Sequence, residues 1–404
     1  MLVSNIKKLI IIIITPLILG ACHFYPTKTS EEIVATTPAI ENQTTPTISK
    51  ADDQATQTIV KDTNNLTVQE IAEEQQIHDL WQEIANNLEL DRNIQHPAVR
   101  DKIAWYQKNQ DYLDRVTERA RPYLFHIVQT LKERDMPLDL ALLPIVESAY
   151  HPFAYSPSRA SGIWQFMSAT GKQYGLKQNW WYDGRRDIVA STDAALRYLK
   201  ILNRQFNDNW PLALAAYNAG PGNVSKAIRH NQKRNKATDF WSLKLHRETR
   251  HYVPNLMAIA EIVANPEKYN VHLKPISNKP HFAVVNTQSQ LDLATVAELT
   301  QLDMDTIYQL NPGFNRWATA PDGPHRLLIP IDVTQSFEQV LNDLPAEQRL
   351  NWKRHKIKKG ETLSQIATKY ATNVHALKQT NRLKNSRIRA GHYLLIPVAK
   401  QPLK

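Results

Sequence analysis

One carboxylate ends a long apolar run and is the first candidate for chemistry. The run Leu138-Asp139-Leu140-Ala141-Leu142-Leu143-Pro144-Ile145-Val146 leads directly into Glu147. A carboxyl group in such a setting is partly desolvated, which disfavours its charged form and raises its pKa. A raised pKa lets the group hold a proton near neutral pH and donate it. The sequence therefore predicts that Glu147 is a general acid.

Two motifs of polar and aromatic residues follow this acid. They are Gly162-Ile163-Trp164-Gln165-Phe166 and Ala215-Ala216-Tyr217-Asn218-Ala219-Gly220. Together with Glu147 they indicate an acid in a polar groove lined by aromatic rings, which suits a sugar chain. Trp164, Trp180 and Trp181 could stack on sugar faces, although such residues more often belong to a core.

A second carboxylate is needed by ordinary glycosidases, about 5–5.5 Å from the first for retention and about 6.5–9.5 Å for inversion. The candidates are Asp183, Asp187 and Asp193. However, Asp183-Gly184 predicts a turn, and Asp193 is typical of the first turn of a helix. The sequence thus offers no convincing partner for Glu147, and it suggests neither a metal nor a cofactor.

The composition of the chain bounds its class and partners. Its 404 residues are enough for two or three domains. The formal net charge of +10 favours a polyanionic partner such as nucleic acid, an anionic membrane or an acidic wall polymer, or it is only a solvated basic surface. No nucleic-acid motif or dense basic arm is present, so we expect no nucleic-acid partner.

The N-terminus predicts export and lipid attachment. Lys7 and Lys8 precede an apolar stretch over residues 9–19, which is too short to span a bilayer as a helix. Leu19-Gly20-Ala21-Cys22 resembles a bacterial lipobox, favoured over an ordinary secretory signal because the only cysteine lies at the cleavage position. Residues 1–21 are then a signal peptide, and lipidated Cys22 attaches the protein to a membrane. The following residue is His23 rather than Asp, which favours the periplasmic face of the outer membrane.

The residues after Cys22 predict a tether and then a helical domain. Residues 22–67 are rich in Thr, Gln, Asn, Ala and Pro, which is typical of a flexible linker. The domain over 68–270 has helical periodicity and no strand signal of any length. Predicted helices cover 115–133, a segment that starts at Pro137 and is kinked at Pro144, and then 192–206, 210–230 and 249–265.

An internal repeat follows Pro275. Residues 291–311 align without gaps to 361–381, and the matching positions are mainly apolar. Each copy later ends in Leu-Leu-Ile-Pro, at 327–330 and 394–397. The repeat predicts two small α+β units, each a strand, two short helices and a strand, over 281–332 and 353–398. The linking segment 334–352 could be helical.

The second copy resembles a LysM domain, a module that binds glycans containing N-acetylglucosamine. The resemblance rests on His355-Lys356-Ile357-Lys358-Lys359-Gly360-Glu361-Thr362-Leu363, on Asn381 and on the final Leu-Leu-Ile-Pro. The first copy departs from the pattern, since Gln290 stands where Gly360 does and an insertion contains Trp317. We interpret it as a degenerate LysM-like repeat that is either a glycan binder or a structural spacer.

The helical domain resembles the family 1 lytic transglycosylases, which are goose-lysozyme-like enzymes that cut bacterial peptidoglycan. The resemblance covers residues 80–269, and many motifs agree in order. These are Glu147-Ser148-Ala149-Tyr150-His151-Pro152, Gly162-Ile163-Trp164-Gln165-Phe166-Met167, Trp180-Trp181-Tyr182-Asp183, Ala215-Ala216-Tyr217-Asn218-Ala219-Gly220 and Glu248-Thr249-Arg250-His251-Tyr252-Val253-Pro254. With the lipobox and the LysM repeats, the closest pattern is the membrane-bound lytic murein transglycosylase D group. The resemblance implies a mainly α, lysozyme-like catalytic domain followed by small LysM-type βααβ repeats.

The resemblance also implies roles for individual residues and a reaction. Glu147 matches the catalytic acid, and the substrate-binding positions are Ser148, Ser156, Gln165, Tyr217, Asn218 and Tyr252. Glu147 would protonate the oxygen between MurNAc and GlcNAc, and as a carboxylate it would then deprotonate the MurNAc C6 hydroxyl. The implied product has a 1,6-anhydro end, and the implied partner is the peptidoglycan glycan strand.

Two alternatives stay open from the sequence. The first is a muramidase, which would hydrolyse the same bond on the same scaffold. The second is a non-catalytic wall-binding lipoprotein, which the tether and the LysM copies alone would support.

Overall fold

The computed structural model describes residues 79–345, 348–350, 352–381 and 383–397. The predicted signal peptide, Cys22, the tether and the predicted start of order near Val68 lie outside the described residues. Within the described part of the chain, no helix has the length and apolar character needed to cross a membrane.

The first part of the described chain is helical. Ten α-helices run in order, joined by turns and short 3-10 segments: α1 Leu80–Asn86, α2 Pro97–Gln107, α3 Gln110–Ala120, α4 Leu124–Lys132, α5 Leu143–Ser148, α6 Ser168–Gln173, α7 Ile188–Gln205, α8 Trp210–Ala219, α9 Pro221–Gln232 and α10 Arg247–Ala264. Its only β pairing among the described residues is in isolated bridges such as Tyr155 with Ser161 and Ser161 with Phe166.

Helix α10 lies at the centre of the helical core. Its side chains are buried along most of its length, and it packs against α1, α2, α5 and α8. A helix that is buried on nearly all sides needs apolar residues around most of its circumference, which the stretch Leu256–Val263 provides at every position except Glu261. The Glu261 carboxylate is paired with Arg92 and Lys268.

Two predicted helices are each broken into two. The helix predicted over 115–133 is wrong, because α3 ends at Ala120 and α4 begins at Leu124. Pro122 lies in the gap, and its ring lacks the N–H that a continuous helix requires. The helix predicted over 210–230 is also wrong, since it divides at Gly220, whose φ is +86°, and Pro221 then starts α9.

The apolar run before Glu147 is not one kinked helix, as the sequence predicted. Leu138–Leu142 forms a 3-10 helix that Pro137 precedes, and α5 begins at Leu143 with Pro144 in its first turn. A proline in the first turn removes no helical hydrogen bond, so the change from 3-10 to α geometry replaces the kink.

The C-terminal part consists of two βααβ modules. The first contains β1 Phe282–Asn286, α11 Leu293–Thr300, α12 Met304–Leu310 and β2 Arg326–Pro330, and the second contains β3 Trp352–Lys356, α14 Leu363–Lys369, α15 Val374–Thr380 and β4 Tyr393–Pro397. Each strand pair is antiparallel, with Phe282 opposite Pro330 and Trp352 opposite Pro397. The linking segment contains a helix, α13 Ile331–Asp343.

The same asparagine contacts recur in both modules. The Asn311 side chain accepts from the Leu328 amide and donates to the Leu328 carbonyl. The Asn381 side chain makes the same pair of hydrogen bonds with Leu395. Because each amide ties the second helix to the second strand, the repeated Asn in the sequence marks the same structural position twice.

Candidate active site

Glu147 lies one residue before the end of α5. The chain leaves the helix through Ala149 and Tyr150, which both have left-handed backbones with φ of 50° and 55°. Tyr150 is fully buried, and its hydroxyl donates to the Ala141 carbonyl at 2.6 Å. This anchored exit fixes the end of α5, and with it the place of Glu147.

The Glu147 carboxyl group has a strongly perturbed pKa. Burial is the main cause that raises the pKa, a hydrogen bond from Tyr252 lowers it, and the negative charge of Glu248 raises it, so that the pKa is about 8. At neutral pH most of the carboxyl groups are therefore protonated, which is the form that a general acid needs.

Tyr252 is the direct partner of Glu147. Its hydroxyl donates to Glu147 Oε1, and the side chain is 6% exposed. Burial raises the pKa of Tyr252 well above its usual value, so the phenol stays a donor. Because α10 is held in the core, this hydrogen bond fixes the carboxyl group against a rigid element.

Tyr217 and Asn218 lie at the end of α8, and Tyr217 is close enough to Glu147 to interact with its charge. The Tyr217 hydroxyl donates to the Trp164 carbonyl at 2.9 Å. Burial, and then the charge of Glu147, raise the pKa of Tyr217. Asn218 accepts from the Thr249 hydroxyl at 2.7 Å and donates to Glu248 at 3.3 Å. The structure therefore brings together the ends of α5, α8 and the start of α10.

Ser156 and Gln165 belong to one loop, 154–166, which we call the sugar loop. The Ser156 hydroxyl accepts from the Ala160 amide at 3.0 Å. Gln165 has a left-handed backbone, with φ of 47°, and its amide donates to the Gly162 carbonyl at 2.8 Å. The two side chains thus hold the loop in shape, while the Ser156 proton and the Gln165 carbonyl oxygen remain for a ligand.

Ser148 makes packing hydrogen bonds. Its hydroxyl contacts the carbonyls of Pro144 at 3.2 Å and Ile163 at 3.0 Å. This residue therefore ties α5 to the sugar loop, which indicates a supporting role rather than the contact with substrate that the resemblance implied.

Two of the three candidate stacking tryptophans are core residues. Trp164 is fully buried, and its indole N–H donates to the Thr192 hydroxyl at 3.0 Å. Trp181 is 4% exposed. Neither can stack on a bound sugar. Trp180 is half-buried and lies under the guanidinium of Arg316 at 4.0 Å.

The three candidate second carboxylates are all engaged with cations. Asp183 pairs with Arg185 at 2.7 Å, Asp187 with Arg326 at 2.8 Å, and Asp193 with Arg134 at 2.7 Å. Asp193 is also not in the first turn of a helix, because α7 begins at Ile188 and Asp187 caps it. None is the partner of Glu147.

Sequence reasoning missed Glu248 as the carboxylate whose charge acts on Glu147. It is exposed, and it lies one helical turn before Tyr252 on α10. The i, i+4 spacing of Glu248 and Tyr252 in the quoted motif could have placed both on one face. Within the described ranges, no three His, Cys, Asp or Glu side chains come together as a metal site would require.

Three family models match consecutive parts of the chain. Residues 126–240 match the transglycosylase SLT domain, residues 281–346 match the LysM-like domain of lytic transglycosylase MltD, and residues 355–397 match the LysM domain. The matches follow the order of the helical part and the two modules.

Relatives of known name agree with these matches. The chain is 38% identical over 328 residues to membrane-bound lytic murein transglycosylase D of Escherichia coli (strain K12), which covers 79% of this chain and 72% of the relative. It is 34% identical over 119 residues to the soluble lytic murein transglycosylase of Salmonella typhimurium (strain LT2), covering 28% of this chain and 18% of that one.

A solved structure is similar to part of the chain. An inactive mutant of lytic transglycosylase Slt from Pseudomonas aeruginosa matches with 30% identity and a TM-score of 0.29, covering 37% of this chain and 25% of that one. This match adds no argument about the fold. The identity to the Escherichia coli protein, spread over most of both chains, is decisive: the chain belongs to the membrane-bound lytic murein transglycosylase D family and is a peptidoglycan lytic transglycosylase of the cell envelope.

Proposed function

We propose that the enzyme cleaves the β-1,4 bond between MurNAc and GlcNAc with Glu147 as its only acid and base, leaving a 1,6-anhydro-MurNAc end. The observation that carries this proposal is the protonated Glu147 carboxyl group, with a pKa of about 8, held by the Tyr252 hydroxyl. A group with a pKa close to working pH can give up a proton and take one back.

The reaction is balanced within the substrate and one side chain. The Glu147 proton moves to the glycosidic oxygen as the bond from that oxygen to MurNAc C1 breaks. The carbonyl oxygen of the MurNAc N-acetyl group stabilises the positive charge at C1. Glu147, now a carboxylate, takes the proton of the C6 hydroxyl, and that oxygen bonds to C1. The acid is regenerated, and no water is consumed.

The proposed substrate contacts involve four polar side chains of the sugar loop and of the end of α8. Ser156 and Gln165 would contact the sugar near the cleavage point, and Tyr217 and Asn218 would form the floor that holds the N-acetyl group. The raised pKa of Tyr252 supports a donor role beside the carboxylate that forms after the first step.

Glu248 gives the muramidase alternative its one specific support. Its charge acts on Glu147, and Asn218 contacts it at 3.3 Å. A second carboxylate in the groove could activate water, as in an inverting glycosidase. Glu248 is exposed and already accepts a hydrogen bond from Asn218, which supports a binding role instead.

A pair of isosteric variants separates these mechanisms. Glu147→Gln should abolish cleavage of purified wall, whereas Glu248→Gln should retain part of it and still release anhydro products. Equal loss in both variants, with reducing MurNAc ends from the native enzyme, would favour hydrolysis. Cleavage that persists in Glu147→Gln would show that Glu147 is not the acid.

We also propose that the chain is divided into a tether over 22–67, a catalytic domain over 68–270, a LysM-like repeat over 281–332 and a LysM domain over 353–398. The last module has a buried cluster made of its own residues, including Ile357, Leu363 and Leu377, which supports a separable unit. Removal of 355–404 should weaken retention on insoluble wall while cleavage of soluble fragments continues.

The proposed lipid anchor is tested at Cys22. A Cys22→Ser variant should be released from the outer-membrane fraction and should not incorporate labelled fatty acid. Retention of the variant in that fraction, with no fatty acid on the native protein, would remove the anchor from the proposal.

A further inference from the structure

A short segment of the catalytic domain, 181–187, lies between the sugar loop and the first βααβ module. On the module side, the Asp183 amide donates to the Gly313 carbonyl at 2.8 Å, and the Asn315 amide donates to the Trp181 carbonyl at 2.8 Å. The side chains of Trp181 and Tyr182 are buried in the hydrophobic cluster of the module. The segment is therefore part of the core of that module.

Charge and close packing strengthen this junction. Asp187 pairs with Arg326 at 2.8 Å, and the two side chains are only 11% and 23% exposed, so solvent screens the pair weakly. Gly313 approaches Tyr182 so closely that a Cβ there would lie 2.8 Å from the ring. The junction therefore combines backbone hydrogen bonds, an ion pair and steric fit.

On its other side, the same segment holds the sugar loop through Arg185. The Arg185 guanidinium is fixed by Asp183 at 2.7 and 3.0 Å. It donates to the carbonyls of Arg159 at 2.8 Å and Phe166 at 3.3 Å, which lie within the sugar loop. Arg185 is 6% exposed, so these donors have few alternative partners in water.

The backbone of the sugar loop also contacts the backbone of Arg185 directly. A Cβ on Gly162 would lie 2.1 Å from the Arg185 carbonyl oxygen, so the loop rests directly on the segment. Gln165 donates to the Gly162 carbonyl, and the Arg159 amide donates to the Ser156 carbonyl at 2.8 Å. Each proposed sugar-binding residue is therefore bonded to a residue that the 181–187 segment contacts directly. Gln165 is bonded to Gly162, and Ser156 is bonded to Arg159.

We propose that the first βααβ module, residues 281–331, is a brace that positions the sugar loop for the reaction, with Arg185 as the positioning residue between them. This inference rests on the proposed roles of Ser156 and Gln165. Catalytic groups and substrate must be held within a fraction of an ångström of productive geometry, and a small displacement can reduce the rate about 100-fold. The module is then needed for cleavage of soluble glycan, apart from any binding to insoluble wall.

The test disturbs the junction from the module side, with the full chain and a soluble glycan fragment as substrate. Gly313→Ala adds a methyl group against Tyr182, and Arg326→Gln removes the ion pair with Asp187. Arg326→Lys keeps a positive charge and serves as the rescue. Lys177→Gln is the matched control, because the Lys177–Asp322 pair spans the same junction at 41% and 51% exposure. Lys177 meets the 181–187 segment only through its backbone carbonyl, which accepts from the Gly184 amide at 2.7 Å and is kept in the variant.

The brace predicts two coupled changes. In Gly313→Ala and Arg326→Gln, kcat/KM should fall about tenfold, as the loss of about one well-placed interaction allows, and amide hydrogen exchange in 156–166 should speed up. Arg326→Lys should recover most of both properties, and Lys177→Gln should match the native enzyme. The pH at which activity is lost should stay the same in all four variants, since none touches Glu147.

The contrary results are distinct. If Gly313→Ala does not fold, Arg326→Gln decides alone. Folded variants with native kcat/KM and native exchange would overturn the brace, and a selective loss of binding to insoluble wall would instead make the module a glycan binder. An active Glu147→Gln enzyme would contradict the proposed reaction. The rate of amide hydrogen exchange in 156–166 would still test, independently of that reaction, whether the module positions the sugar loop.

Discussion

At the scale of single residues, the proposed chemistry depends on one carboxyl group, that of Glu147, which its surroundings keep protonated. Burial is the main cause of the raised pKa of Glu147, and the hydrogen bond from Tyr252 opposes it. These opposing effects hold the pKa near 8, where the group can both give and accept a proton. Two consequences can be measured.

The pH profile should depend on the Tyr252 hydroxyl. Native kcat/KM should fall as pH rises through about 8, because Glu147 then loses the proton it must donate. Tyr252→Phe removes a hydrogen bond that lowers the pKa, so this alkaline limb should move to higher pH. The rate at neutral pH should fall about tenfold, the cost of one hydrogen bond to a charged group.

Tyr269→Phe is the control for this change. The Tyr269 hydroxyl donates at 2.8 Å to Glu261, which lies near the C-terminal end of α10, more than two turns from Tyr252. Its profile should overlay that of the native enzyme. An alkaline limb that moves to lower pH in Tyr252→Phe would contradict the assigned electrostatics.

The stability of the protein should also carry the signature of Glu147. In the folded protein Glu147 keeps its proton up to about pH 8, whereas in the unfolded chain it ionises above its ordinary pKa of 4.5. The free energy of unfolding therefore falls as pH rises from about 4.5 to 8. Glu147→Gln should therefore be more stable than the native protein by a few kcal/mol at pH 8, since each pKa unit corresponds to about 1.4 kcal/mol. Urea unfolding at pH 4 and pH 8 measures the difference, and a gap that does not widen with pH would contradict it.

At the scale of elements, local signals predicted more than distant ones. The motif around Glu147, the βααβ repeat and its matching asparagines were visible in the sequence because each depends on neighbouring residues. The breaks at Pro122 and at Gly220-Pro221 were also visible, but the apolar periodicity on either side of them outweighed the proline and glycine signals. The helical pattern itself was correct on both sides of each break.

The contacts that hold the sugar loop could not be predicted from the sequence. Arg185 joins Asp183 to carbonyls at 159 and 166, and Gly313 meets Tyr182 from 131 residues away in the chain. No periodicity reports such pairs, because backbone carbonyls accept irrespective of side-chain type. Trp164 was a candidate for stacking on a sugar, because the sequence does not report burial, and the structure shows that it is a core residue.

Alanine substitutions at two glycines can distinguish the effect of close packing in the sugar loop from the effect of backbone strain. Gly162 and Gly175 have φ of +82° and +83°, so Ala costs about 1 kcal/mol of strain at either position. Only at Gly162 would the new Cβ meet a backbone oxygen, at 2.1 Å, whereas Gly175 has nothing within 4 Å. Gly162→Ala should therefore lose about 1–3 kcal/mol more in unfolding experiments, the usual cost of overpacking, and most of its activity. Equal losses in the two variants would show that strain alone matters.

At the scale of the whole molecule, the two modules are alike in fold and different in attachment. The first shares a buried cluster with Trp181 and Tyr182 of the catalytic domain. The main buried cluster of the second contains residues of that module alone, and only Ala376 of the second module is buried in the cluster of the first. This difference supports the proposal that the first module stabilises the enzyme and the second binds wall.

The paired asparagines test this difference at matched positions. Asn311→Ala and Asn381→Ala each remove the same three hydrogen bonds, to the preceding helix and to the second strand. Asn311→Ala should destabilise its module by about 1–3 kcal/mol, because buried backbone groups lose their partners. Asn381→Ala should cost its module less, because the bonds of Asn381 to Leu395 are exposed to water. Only Asn311→Ala should lower the temperature at which cleavage of soluble glycan is lost. Equal inactivation temperatures in the two variants would contradict the assignment of the first module to the catalytic unit.

The most direct test of the central claim is mass spectrometry of the products that the native enzyme releases from purified wall in isotopically labelled water. If Glu147 alone serves as acid and base and the C6 hydroxyl is the nucleophile, every new MurNAc end is lighter than the hydrolysed form by one water and carries no label. Reducing MurNAc ends that contain labelled oxygen would show that water attacks C1, and would contradict the account.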